Sequence, residues 1–382
     1  LAGFLFGWTL FLVSMGGAIA AAAVGFAEYF GYFFPDLSMQ RTVLSVALPY
    51  SDSGLTYALS SGQLVACTAI LGLSALNYLG ASLGKNVQNV ISVIKIGTLI
   101  LFIVLGLTLA PKTPLDFSLT PTGMGMSLSQ CLMAFGVALV AVSWAFDGWH
   151  NINYIAGEIR DSRRNLPATL ILGTLIITGL YLLVNVVYLL ALPVEEMRGV
   201  ARIAEAASAS LFGGTAAGLV AAAVLVSTFG SLNGAIFVAP RVYFAMARDR
   251  VFFLRAGEVH PRFSTPHVAI ALQAVWASAL TLTGSYEQLF TYVTSVNLIF
   301  WIAGTASVFR LRKTRPDLPR PYRTWGYPVV PILFIASLSA ILLNTLINRP
   351  VESLAGVGIT LLGVPAYLVW QKANRPRAEA QT

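Results

Sequence analysis

Long apolar runs separated by short polar stretches dominate the chain, and most runs lack the alternating or one-sided pattern of half-buried strands and surface helices. A hydrocarbon core of roughly 30 Å takes about 20 helical residues. Ten such segments are expected, at about 2–34, 56–79, 86–110, 128–155, 167–192, 214–247, 268–284, 287–310, 328–347 and 353–371. The first carries a small-residue patch, Gly16-Gly17-Ala18 followed by Ala20 to Ala23, of the kind that lets helices approach closely. Turn signals separate neighbouring segments at Gly80 to Gly84, at Thr283-Gly284-Ser285 and at Asn348-Arg349-Pro350. The stretch 194–212 is too polar to cross and reads as an outer loop containing a short amphipathic helix. No soluble domain fits in the remainder. Residues 1–382 are therefore expected to form a single, all-α polytopic transmembrane domain.

Composition agrees: 57% of the 382 residues are hydrophobic and 10% charged, against about 25% charged in a soluble domain. The net charge of +8 changes the picture only through its placement. One set of alternate loops holds Lys85, Arg160, Arg163, Arg164, Arg248, Arg250, Arg255, Arg262, Arg310, Arg312, Lys313, Arg315, Arg320, Arg323, Lys372, Arg375 and Arg377. The other set holds only Arg41, Lys112, Arg198, Arg202 and Arg349. By the positive-inside rule the first set is cytoplasmic, and so is the C-terminus. Loops of this kind can also bind anionic lipid or nucleic acid, but they are so short that orientation is the better reading, and no nucleic-acid partner is expected. Cys67 and Cys131 lie inside apolar helices, which supports neither a disulfide framework nor a metal cluster. His260 and His267 have no ligand-like partners in sequence, and no nucleophile–base constellation or phosphate-binding glycine loop appears. An enzyme, a metal site and a cofactor are thus all disfavoured. The chain starts at Leu1, without Met and already inside an apolar run, and lacks signal-peptide features; a natural N-terminus further upstream is expected.

Candidate chemistry concentrates where polar residues interrupt a span. In WAFDGWHNIN, residues 144–153, Asp147, His150, Asn151 and Asn153 surround Gly148, the residue type that most readily leaves helical geometry. Either the helix breaks here around a protein-lined or watered cavity, as transporter binding sites do, or it simply reaches the interface with Trp149 as a belt aromatic. His150 alone is more often a satisfied polar residue than a metal ligand. Lys95 lies about two turns inside its span, at a cost of about 2.5–3.5 kcal/mol at mid-bilayer. It is read as an internal cation, with snorkelling toward the interface as the alternative. Arg241, near the inner end of its long span, is read either as a gate ion pair with Glu158 or as a solvated helix end.

Three runs, FDGWHNINYIAGEIRDSRRNLPATLI (146–171), STFGSLNGAIFVAPRVYFAMARDRVFF (227–253) with VHPRFSTP (259–266), and RKTRPDLPRPYRTWGYPVVP (312–331), resemble the amino acid–polyamine–organocation superfamily. Within it they are most similar to the L-type amino acid transporter-like permeases. The resemblance covers essentially the whole chain, in order. It implies a five-plus-five inverted repeat with two further helices (the LeuT-type fold) and alternating-access movement of amino acids across the cytoplasmic membrane, by sodium-independent exchange or proton-linked uptake. On this alignment the first span matches the family's third helix, so the first two helices are absent, including the other discontinuous one. The alternative is a truncated, non-transporting scaffold or sensor. The outer loop at about 35–55 has no Cys where heavy-chain-associated animal members carry one, which implies a stand-alone, prokaryotic permease with no disulfide-linked heavy chain.

Carried over to this numbering, the resemblance places Trp144, Ala145 and Phe146 on the substrate side of the break. Trp144 is the aromatic gate, and backbone carbonyls from Trp144 to Asp147 accept from the substrate ammonium. Asp147 either faces that ammonium or caps the second half-helix, with Gly148 at the break. Met15, Gly16 and Gly17 match the pocket wall. Lys95, Ser227 and Thr228 fall where sodium-independent relatives place an ammonium and hydroxyls in the region that sodium-coupled relatives use for the ion.

Overall fold

The computed structural model describes residues 1–47, 56–109, 127–200, 202–283, 286–320 and 322–373; within these helices the side chains of Trp144 and Glu158 lie outside the description. Among the described residues, eight helices are long and apolar enough to cross a membrane: Ala2–Phe33, Ser61–Leu79, Asn86–Leu109, Ser162–Ala191, Gly214–Arg248, Val293–Thr314, Val329–Asn348 and Ser353–Gln371. The two other expected spans are shorter apolar helices, Leu128–Ser143 and His267–Thr283. The protein is an all-α polytopic membrane protein. Its helices present large apolar side chains outward, among them Val93, Leu101, Leu175, Leu182, Val275 and Ile347, as lipid requires and water does not.

Several boundaries differ from expectation for local reasons. The first span is interrupted: α1 (Ala2–Thr9) passes through a π turn, Leu10–Ser14, before α2 (Met15–Phe33). Residues 56–60 do not open the second span; they form β2 (Thr56–Ser60), which pairs antiparallel with β1 (Thr42–Ala47). Helix α3 (Ser61–Leu79) starts only after Ser60, because Ser60 and Gln63 make a reciprocal capping box: the Gln63 N–H donates to Ser60 Oγ at 3.2 Å and the Ser60 N–H to Gln63 Oε1 at 2.9 Å. One residue, Gly80, then separates α3 from α4 (Ala81–Leu109). The basic loop before the fifth span is partly helical, since α6 (Ser162–Ala191) begins ahead of Pro167. Its first turn is anchored where Arg164 and Asn165 donate to the Asp161 carbonyl at 2.9 and 3.0 Å. The polar stretch 194–212 contains two short helices, α7 (Val194–Met197) and α8 (Ile203–Phe212). The remaining helices are α5 (Leu128–Ala145), α9 (Gly214–Val238), α10 (Pro240–Arg248), α11 (His267–Thr283), α12 (Tyr286–Thr314), α13 (Val329–Asn348), α14 (Pro350–Leu361) and α15 (Gly363–Ala373).

The chain divides into two compact units. The first comprises residues 1–21, 125–170 and 235–382. Its core is aromatic: Phe11 packs edge-on to Tyr243 at 5.0 Å and to Phe252 at 5.3 Å, and Phe4 and Met15 are buried in the same cluster. Helix α12 packs against α5, α13, α14 and the π turn. The second unit comprises residues 22–124 and 171–234. Phe102, Ile103, Val184, Val187 and Ala207 form its apolar cluster, and Gly106 lets Val187 approach so closely that an added Cβ would lie 2.4 Å from Val187 Cγ1.

Candidate functional site

Helix α5 ends at Ala145, residues 146–150 form turns, and a 3-10 segment, Asn151–Glu158, follows. Gly148 has φ +91°, in the left-handed region that costs a side chain about 1–2 kcal/mol. The Asn151 N–H closes the turn on the Gly148 carbonyl at 3.0 Å.

Asp147 is half-buried, and both of its carboxylate oxygens accept from Asn297 Nδ2 of α12, at 3.4 and 3.3 Å. Asn297 Oδ1 in turn accepts from Ser14 Oγ at 2.6 Å. Neither Asn297 nor Ser14 stood out in the sequence. An Asn within a membrane-length helix was the available signal for the first. Ser14 carried none, because a helical Ser ordinarily bonds its own preceding turn.

The π turn explains Ser14's placement. A π turn widens the helix and frees carbonyls. Leu10 O accepts from the Met15 N–H and from Tyr243 Oη at 3.4 Å, and Leu12 O accepts from Trp276 Nε1 at 2.9 Å. Gly16 leaves room for that indole: a Cβ there would lie 2.8 Å from Trp276 Cδ1 and 2.7 Å from Phe11 O. Of the expected wall residues, Met15 is thus a core side chain, Gly16 a docking notch and Gly17 buried beside it. Ala145 is exposed and Phe146 half-buried at the end of α5.

Beyond the break, within the same unit, lies a cavity of about 500 Å³. Phe6, Trp149, Tyr154, Phe300 and Trp301 form its aromatic walls, with His150 and Asn153 as polar groups. The His150 ring lies 5.5–5.6 Å from Trp149, Tyr154 and Trp301. Among the described residues, His150 Nδ1 and Tyr154 Oη are buried without a hydrogen-bond partner, a polar cost concentrated at this wall.

Lys95, Ser227 and Thr228 belong to the second unit. The Lys95 ammonium donates to Ser231 Oγ at 3.0 Å, one turn beyond Ser227 on the same helix. Thr228 turns its hydroxyl back onto the carbonyls of Val224 and Leu225, at 3.0 and 2.9 Å. Lys95 itself stays exposed and Ser227 half-buried. The helix pair beneath Lys95 is tightly seated. Gly230 and Gly234 make a small-x-x-x-small stripe on α9, where a Cβ at Gly230 would lie 2.2 Å from Ile91 Cγ2 and one at Gly234 3.5 Å from Gln88 Nε2. Asn233 Nδ2 donates to Gln88 Oε1 at 3.0 Å, and Asn77 Nδ2 donates to Asn233 Oδ1 at 2.9 Å. Arg241 donates to its own helix, at the Phe237 carbonyl, and its guanidinium lies over the Phe237 ring at 3.8 Å. The proposed partner Glu158 lies outside the described side chains, as does the Trp144 gate. Among the described residues, no group of three or more His, Cys, Asp or Glu is arranged to hold a metal ion.

Comparison with known proteins points one way. A family model described as amino acid permease matches residues 1–365. The chain is 30% identical over 373 residues to the serine/threonine exchanger SteT of Bacillus subtilis, an alignment covering 97% of this chain and 78% of that protein. It is 28% identical over 380 residues to the large neutral amino acids transporter small subunit 2 of Homo sapiens, covering 97% and 66%. It is 28% identical over 342 residues to the branched-chain amino acid permease BcaP of Bacillus subtilis, covering 89% and 70%. These relatives are transporters, not enzymes, and the chain spans between 66% and 78% of their lengths.

Proposed function

The chain belongs to the amino acid permease family, and from that membership we propose that it moves neutral amino acids across the cytoplasmic membrane by alternating access, as a sodium-independent exchanger or by proton-linked uptake. One observation carries the reading: an apolar helix stops at Ala145, turns through a left-handed Gly148 and sets a carboxylate beside the turn. Irregular backbone at that depth is stable only where it lines a cavity or is held by protein. Backbone carbonyls from Trp144 to Asp147 serve in this reading as acceptors for a substrate ammonium, with Trp144 as the gate over it. Neutral substrates are favoured because the three relatives are named for serine and threonine, large neutral and branched-chain amino acids.

Lys95 serves in this reading as a fixed cation of the transport core, held by the Ser231 hydroxyl on the helix that also carries Ser227 and Thr228. The two units are read as parts of one transport domain, with the basic loops and the C-terminus cytoplasmic. The outer loop at about 35–55 carries no Cys, and the reading is therefore of a permease without a disulfide-linked heavy chain.

The test is uptake of radiolabelled L-serine, L-threonine and L-leucine by the purified full-length protein in liposomes. Unlabelled amino acid is placed inside the vesicles, or a proton gradient is imposed across them. Accumulation driven by internal amino acid identifies exchange, and accumulation driven by the gradient identifies proton linkage. No uptake under either condition, across a panel of neutral amino acids, overturns the proposal.

A further inference from the structure

We propose that Ser14 and Asn297 are positioning residues that hold the Asp147 carboxylate in one orientation at the helix break, through a one-way chain of hydrogen bonds. The proposal rests on reading residues 144–148 as the substrate side of the break.

The direction of the chain follows from donor and acceptor chemistry alone. An ionised carboxylate only accepts, so the Asn297 amide must turn Nδ2 toward Asp147, where it lies 3.3 and 3.4 Å from the two oxygens. Oδ1 then points the other way and needs a donor. Ser14 Oγ supplies it at 2.6 Å. Both bridging residues are buried, Ser14 to 5% and Asn297 to 8% exposure, so water does not substitute easily for either partner.

The position of Ser14 is itself fixed. In an ordinary helix its hydroxyl would fold back onto the carbonyl of Leu10. The π turn instead gives that carbonyl to the Met15 N–H and to Tyr243, while Trp276 takes Leu12 O. The Ser14 hydroxyl is left to reach α12. Removing it leaves Asn297 Oδ1 buried without a donor, and an amide that has lost one restraint points its N–H less reliably at Asp147. Ser14 therefore acts on the site only through Asn297.

The experiment is a double-mutant cycle on labelled L-serine and L-leucine uptake by the full-length protein in liposomes, with KM and Vmax read separately and insertion checked by size exclusion. Asn297→Ala should raise KM by about tenfold, the scale of a lost hydrogen bond to a charged group, with Vmax within about twofold. Ser14→Ala should raise KM by about threefold, the scale of a neutral hydrogen bond. The double variant should be no worse than Asn297→Ala alone, because Ser14 has nothing left to act through. Asn297→Asp, which sets a second acceptor against Asp147, should exceed Asn297→Ala. An unchanged KM in the single variants, multiplying effects in the double one, or losses confined to Vmax overturn the relay while the wild type still transports. A wild type that transports neither amino acid overturns the substrate-site reading, and the relay with it.

Discussion

Gly16→Ala tests the packing that supports the π turn. The new methyl would lie 2.8 Å from Trp276 Cδ1, 3.0 Å from Trp276 Nε1 and 2.7 Å from Phe11 O. Ala gains about 1 kcal/mol over Gly in helix propensity. Against this stand about 1–3 kcal/mol for overpacking and about 1 kcal/mol for the part-buried hydrogen bond from the indole to the Leu12 carbonyl. The indole cannot withdraw without losing its 2.9 Å hydrogen bond to Leu12 O, so both costs arise together. The net effect is a destabilisation of about 2 kcal/mol, or a fall of about 5 °C in the unfolding midpoint. Thermal unfolding of the detergent-solubilised protein, followed by size exclusion, gives the reading. Adding Trp276→Leu should make the Gly16→Ala effect smaller than it is in the wild-type background, since the larger of the two obstacles has gone. A Gly16→Ala protein with an unchanged or higher midpoint refutes the reasoning, because helix propensity would then outweigh the contacts described.

Further substitutions probe separate parts of the molecule. Gly148→Ala forces a side chain into φ +91° with its Cβ 3.2 Å from Asn151 Nδ2, a strain of about 1–2 kcal/mol; uptake in liposomes should fall severalfold while the amount of inserted protein stays near normal. Gly230→Ala drives a methyl into Ile91 and should lower the unfolding midpoint by an amount equivalent to about 1–3 kcal/mol, with partial recovery when Ile91→Ala is added. Lys95→Ala should strongly reduce uptake yet leave a monodisperse protein, and Ser231→Ala should do less, because it removes one hydrogen bond and leaves the charge in place. Normal transport by Lys95→Ala would leave snorkelling as the better account of that residue.

Much of the architecture was legible because a bilayer imposes one dominant rule: about 20 apolar residues per crossing. The end of α5 beside Gly148 was legible for the same reason, since polar groups inside such a run leave a broken helix or an interface as the explanations. Boundaries governed by local hydrogen bonds were less so. The S-x-x-Q capping box at Ser60 and Gln63 was present in the sequence, but the apolar run continues across it, and hydropathy alone placed the helix start too early. The π turn at Leu10–Ser14 has no composition signature; it depends on Trp276 and Tyr243, more than 200 residues away in the chain, accepting the role of donors to its carbonyls. The same holds for Lys95. Depth along the span marked it as notable, but which of Ser227, Thr228 and Ser231 it meets depends on helix phase and on the Thr228 hydroxyl being occupied by its own backbone. Asn297 was the accessible miss, since a polar residue inside α12 met the same criterion that singled out Lys95.

The central claim, that the helix break lines the path of the transported amino acid, is tested most directly by thiol labelling at Ala145. Ala145 is exposed at the end of α5, and every Cys of the full-length protein, Cys67 and Cys131 among them, is replaced by Ala to provide a silent background. The account predicts that Ala145→Cys, in the full-length protein in liposomes, reacts with a small water-soluble methanethiosulfonate reagent and that a transported amino acid slows the reaction, while a non-transported one does not. A thiol at 145 that is inert to the reagent, or that reacts at the same rate with and without the transported amino acid, contradicts it.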